Sequence, residues 1–140
     1  MKRSLFLLLA GAYGVLLAAS MLFFTESTLL NYGVPKVDVD HVSIAQFLGL
    51  SNGALGLLFL LNRDQPTSYP FRTILMVGAL NPLGSVAVGL YHVLVLHVPF
   101  STFFVADSLF RLALGLAFLY FHNQATREAT GIEAVIPFES

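Results

Sequence analysis

The sequence predicts an all-α integral membrane protein, a single domain folded as a four-helix bundle. Three observations carry this. Only 11% of the residues are charged, less than half of the roughly 25% usual in a soluble domain. Four apolar runs, at residues 4–24, 42–61, 73–96 and 101–121, each reach the roughly 20 residues that a helix needs to cross the hydrocarbon core. The segments between them collect most of the charges and prolines.

The first run follows Lys2 and Arg3 and holds small residues near its end, so it has the outline of a signal peptide. It continues apolar to Phe24, longer than a signal core, and reads as the first transmembrane helix. On it Ala10, Gly14 and Ala18 form a small-residue stripe suited to close packing, with Tyr13 and Ser20 beside it. Residues 27–32 either extend this helix or lie flat at the interface, until Gly33 and Pro35 stop them. Asp40 is the expected N-cap of the second helix. The connection 62–72, with two prolines and two aromatics, is an interfacial turn. The third run contains Pro82 near its middle, which removes a backbone hydrogen bond and predicts a kink facing protein. Pro99 ends it, and Ser101 or Thr102 caps the fourth helix, so helices three and four are antiparallel neighbours. The polar tail 123–140 lies on the cytoplasmic side or docks on a partner.

Orientation follows from the cations. Lys2, Arg3, Arg63, Arg72 and Arg127 fall on one side, and Lys36 on the other with Glu26, Asp38 and Asp40. The positive-inside rule puts both termini and the 62–72 loop in the cytoplasm. Seven Lys and Arg against eight Asp and Glu leave no basic excess, so nucleic acid is not an expected partner. The absence of cysteine excludes thiol nucleophiles, disulfide exchange and iron–sulfur clusters. No nucleophile elbow, zinc-protease helix or phosphate loop is present, which leans against an enzyme. The segments 54–60 and 113–119 agree at six of seven positions, the mark of a duplicated hairpin or of chance among Leu, Ala and Gly; duplication sets Asn52 level with Arg111.

The fourth run carries Asp107 and Arg111, four residues apart and therefore on one helix face. Neither belongs in hydrocarbon without a partner. At 1.5 Å per residue, Asp107 lies about 9 Å below the outer end and Arg111 about 15 Å. By the same estimate Gln46 and His92 lie at about 9–10 Å. The expectation is therefore an outer layer of Gln46, His92 and Asp107 and a middle layer of Asn52, Asn81 and Arg111. These six side chains are candidates for holding a ligand or a partner, and equally for holding the bundle together by interhelical hydrogen bonds. An ion pair kept for stability alone is hard to justify, since apolar residues serve as well.

His92 is a candidate proton carrier, since its ordinary pKa is near neutrality. The alternative is an axial ligand to haem or a pigment, with His41 or His97 as the second ligand; no histidine pair recurs at matched depth. A zinc site from His41, His97 and Asp38 or Asp40 is the metal alternative.

The Gly33 and Pro35 outer loop, the Gln46-Phe47-Leu48-Gly49 segment, and the run from Gly56 to Asn62-Arg63-Asp64 resemble the DoxX-like class of small bacterial four-helix membrane proteins. That resemblance implies an accessory subunit of a quinone-linked membrane oxidoreductase and transfers no catalytic residue. The expected function is a non-catalytic membrane subunit or binding protein whose polar pocket holds a quinone or lipid, or docks another membrane subunit. The other reading is a proton-coupled transporter or channel using Asp107, Arg111 and His92, which with four helices predicts a homo-oligomer.

Overall fold

The computed structural model describes residues 2–97 and 99–131. Within them the protein is all-helical, with five α-helices and no strand: α1 Arg3–Phe23, α2 Thr25–Asn31, α3 Val39–Asn62, α4 Tyr69–Leu94 and α5 Thr102–Thr130. The four long ones are each long and apolar enough to cross a membrane. Leu16, Phe47, Leu61, Leu80, Leu109 and Tyr120 stand exposed along them. Such continuous apolar faces suit lipid and not water.

Local chemistry sets the boundaries. The chain breaks at Phe24, and residues 25–31 form a helix of their own. The Thr25 hydroxyl donates to the Met21 carbonyl at 2.6 Å, and Ser20 and Thr28 share a 3.0 Å hydrogen bond across the break. Gly33 then turns the chain at φ +95°, a left-handed conformation that side chains resist. Asp38, not Asp40, caps α3, accepting from the His41 backbone N–H at 2.9 Å. α4 starts at Tyr69, ahead of the expected 73, because the Ser68 hydroxyl accepts from the Phe71 N–H. Pro70 is tolerated there, where a helix has orphan N–H groups anyway. Pro82 is buried inside α4, which runs as one helix through it. Ser101 caps α5, and Gly131 in the left-handed region closes it.

The expected tail at 123–130 is in fact helix. Hydropathy fell at Phe121, but the hydrogen-bond ladder did not, and Ala125 is buried. The proposed tail contact of residues 132–140 lies outside the described residues.

α1 packs along α3, and α4 along α5, while α3 and α4 barely touch. The α1–α3 seam is a backbone contact. A Cβ added to Gly56 would meet the Gly11 carbonyl oxygen at 2.8 Å and the Val15 nitrogen at 2.8 Å. One core draws on all four long helices. Phe6 and Leu7 of α1, Phe59 of α3, Phe71 and Leu75 of α4, and Phe118 and Phe121 of α5 are buried together. The Phe118 ring lies 4.7 Å from Phe6 and 4.8 Å from Phe59, centroid to centroid.

This core occupies the end where α1 begins. Arg3 ties that end together, donating to Thr67 at 2.9 Å and Glu128 at 3.1 Å, with its guanidinium 4.9 Å from the Phe71 ring centre. Lys2, Arg3 and Arg63 line one hollow there. The opposite half holds the site.

Candidate functional site

Asp107 and Arg111 form an ion pair. Arg111 Nε donates to Asp107 Oδ2 at 2.6 Å, and each side chain is 13% exposed. Two tyrosines complete it. The Tyr13 hydroxyl of α1 donates to Asp107 Oδ1 at 2.8 Å, and the Tyr32 hydroxyl, just beyond α2, donates to Oδ2 at 2.8 Å. The carboxylate thus accepts from three donors on three segments of the chain. A hydrogen bond to a charged group is worth about 1.5–3 kcal/mol. Burial, and next the Asp107 carboxylate, push the Tyr32 pKa up to about 12.

The surroundings hold the tyrosines in place. The Tyr13 ring lies 4.8 Å from Phe110 and the Tyr32 ring meets Phe103 edge-on at 5.0 Å. The Ser101 hydroxyl donates to the Asn31 carbonyl at 2.7 Å, fixing the end of α2 to the start of α5.

Beside the pair lies a cavity of about 350 Å³. Its polar wall is Asn52 of α3, Asn81 and Ser85 of α4, Ser108 and the ion pair of α5, with Tyr32 and His41 toward the start of α3; Leu29, Ile44, Leu48 and Phe104 supply apolar wall. Asn81 and Asn52 face one another at 3.5 Å, and Asn52 spends its amide on the Leu48 carbonyl of its own helix. Arginine has five N–H donors. One goes to Asp107, and the Tyr32 oxygen lies against the guanidinium as well; the remaining donors find no protein acceptor among the described residues and belong to the cavity wall.

The middle layer therefore assembles: Asn52, Asn81 and Arg111 line one space. The outer layer does not. Gln46 is exposed, beside Leu22, Ser43, Phe47 and Leu50. Its small-residue face, Gly49 and Gly56, is spent on α1, so the side chain ends up outside the cavity. Six residues from Gln46 to Asn52 rotate about 240° on a helix, so the two side chains leave α3 on different faces. His92 is also exposed. It lies on the side of α4 that α3 leaves uncovered, in a second hollow with Leu80, Gly84 and Val88, and makes no hydrogen bond to Asp107. Tyr13 and Tyr32 take the places expected of Gln46 and His92. Tyr13 was visible beside the helix-one stripe; Tyr32 reaches the site through the Gly33 turn, which no helical periodicity marks.

No three His, Asp or Glu side chains gather to hold a metal among the described residues, so the histidine zinc alternative finds no ligand set. His41 is instead engaged by Asp38, Nδ1 to Oδ1 at 2.7 Å. That contact and the cap hydrogen bond hold the Asp38 carboxyl below the usual range. Comparison with protein-family models, curated proteins and solved structures finds no match to this chain.

Proposed function

We propose that this chain is a non-catalytic integral membrane binding protein or subunit whose central cavity holds the polar head of a small amphipathic ligand, a quinone or a lipid. The single observation that supports it is the cavity of about 350 Å³ walled by Arg111, a sheltered cation with donors to spare. Arg111 and Asp107 are each only 13% exposed, yet both face this space. A room of this size meets the lower range of ligand pockets, roughly 300–1,000 Å³. In this reading the four long helices form a membrane bundle with both termini cytoplasmic, in a bacterial inner membrane, kinked at Pro82. The DoxX-like resemblance extends the proposal to service beside a larger membrane redox complex, with another subunit or a second copy as partner.

The proton-carrier alternative is the weaker one. It needs His92 in reach of Asp107, and those residues lie in different hollows. For a haem or pigment on His92, no second histidine is among the described residues that line its hollow.

Organic extraction of the full-length protein, purified in mild detergent, tests the reading. We expect about one retained quinone or lipid per chain, identified by mass spectrometry and lost in Arg111→Gln. A wild-type protein that comes off the column colourless and free of ligand sinks it.

A further inference from the structure

A second, mostly apolar hollow adjoins the polar cavity. We infer that the cavity's ligand is a lipid-borne molecule with a neutral, carbonyl-bearing head, whose apolar chain leaves between α3 and α4 past Gly84. This rests on the binding reading above and narrows it.

The route comes from two facts of packing. α3 and α4 barely touch, and on that unpaired side a second hollow of about 660 Å³ lies between Leu55 of α3 and Val77, Leu80, Gly84 and Val88 of α4. Asn81 and Ser85 line this hollow and the polar cavity alike, so the two spaces lie on either side of those side chains. At Gly84 a built Cβ meets nothing within 4 Å. The glycines of the α1–α3 seam have backbone or side chains against them; Gly84 faces open space. An apolar chain lying there is in contact with the bilayer throughout, while its head sits among hydrogen-bonding groups.

The head follows from charge. Asp107 already accepts from Tyr13, Tyr32 and Arg111, three of about four hydrogen bonds open to a carboxylate, and Arg111 balances its charge, so a cationic head would add an unpaired charge to the site. Arg111 supplies donors, so the head must accept. The pair is already neutral; a carboxylate or phosphate would carry a net negative charge into a low-dielectric site, which is costly. A carbonyl oxygen accepts the same hydrogen bonds without that charge. Quinones and acyl esters both offer it.

Native mass spectrometry of the full chain in detergent, with four probes, tests both halves. The probes are decylubiquinone, its chainless benzoquinone parent, monolaurin and lauric acid. We expect a chained neutral probe to bind the wild type at least about tenfold more tightly than lauric acid. Whichever of decylubiquinone and monolaurin binds identifies the source of the carbonyl. Gly84→Leu should weaken chained probes by about tenfold and leave the chainless quinone unchanged. Because Gly84 has free space around it, this variant folds, and its melting temperature checks that. If chained and chainless quinones bind alike and Gly84→Leu changes nothing, the lateral route is wrong while the cavity stands. If lauric acid binds as tightly as the neutral probes, the neutral head is wrong. If no probe binds the wild type, both this inference and the binding reading fall.

Discussion

Asp107 is the residue on which the most contacts converge, and its energetics are testable by subtraction. Removing Arg111 alone, as Arg111→Leu, leaves the carboxylate sheltered with only two tyrosine donors. Breaking a buried pair from one side costs about 3–5 kcal/mol. Removing both charges, as Asp107→Asn with Arg111→Leu, should cost less than Arg111→Leu alone. Denaturant titration in micelles reads the difference; strictly additive losses would mean the two are not coupled. Tyr32 gives a pH signature. Its pKa is raised from 10.0 to about 12 in the folded protein, so the folded state holds the proton more tightly. The stability that this confers is complete below 10 and disappears as pH climbs through about 12. Melting temperature followed into that window should fall more steeply for the wild type than for Tyr32→Phe.

Among the helices, glycine has opposite meanings on the two sides of the molecule. Gly56→Leu drives a side chain into the backbone of α1 and should cost at least about 1–3 kcal/mol, the usual penalty of overpacking. The same substitution at Gly84 meets nothing and should leave stability unchanged. A denaturation experiment on the two variants side by side decides whether the α1–α3 seam is as tight as drawn. The similarity between segments 54–60 and 113–119 takes on structure here. Gly56 receives α1 and Gly115 receives Leu83 of α4, while Phe59 and Phe118 meet in the core. The matched glycines both lie on seams, but Gly56 takes backbone and Gly115 takes a side chain, so the match fits duplication and chance similarity alike.

Much of this was legible in the chain. The four apolar runs, the Gly33 stop, the Ser101 cap and the Asp107–Arg111 spacing are local signals, and local hydrogen bonding settled them. Helix ends beyond the apolar runs were not legible, because hydropathy reports where lipid ends and not where the backbone ladder does; α4 begins at Tyr69 and α5 ends at Thr130 for that reason. Nor could depth alone decide which residues meet. Gln46 lies exposed on α3 away from the cavity, and Tyr32 comes from a turn.

At the scale of the whole molecule, the two ends differ in kind. One end is filled with aromatic core and crossed by the Arg3–Thr67–Glu128 network; the other has a cavity and an open side. The network itself is a modest contributor, since Arg3 and Glu128 are 24% and 32% exposed. Partly exposed pairs are worth about 0–1 kcal/mol, so Glu128→Gln should shift the unfolding midpoint only slightly, and less in high salt. A large loss would show that polar contacts, not the Phe118 cluster, hold that end.

The length of α5 has a consequence for the bilayer. Its 29 residues span about 44 Å, more than the roughly 30 Å of hydrocarbon. Its last turns are polar and joined to Arg3 and Thr67, which anchors α1, the α3–α4 connection and α5 at one level of the membrane. A mismatch in bilayer thickness is expected to be taken up where α3 and α4 have little holding them together. In a bilayer thinner or thicker than the helices, the α3–α4 spacing is expected to change more than the α1–α3 spacing, which spin-label distances in vesicles of stated acyl length would measure.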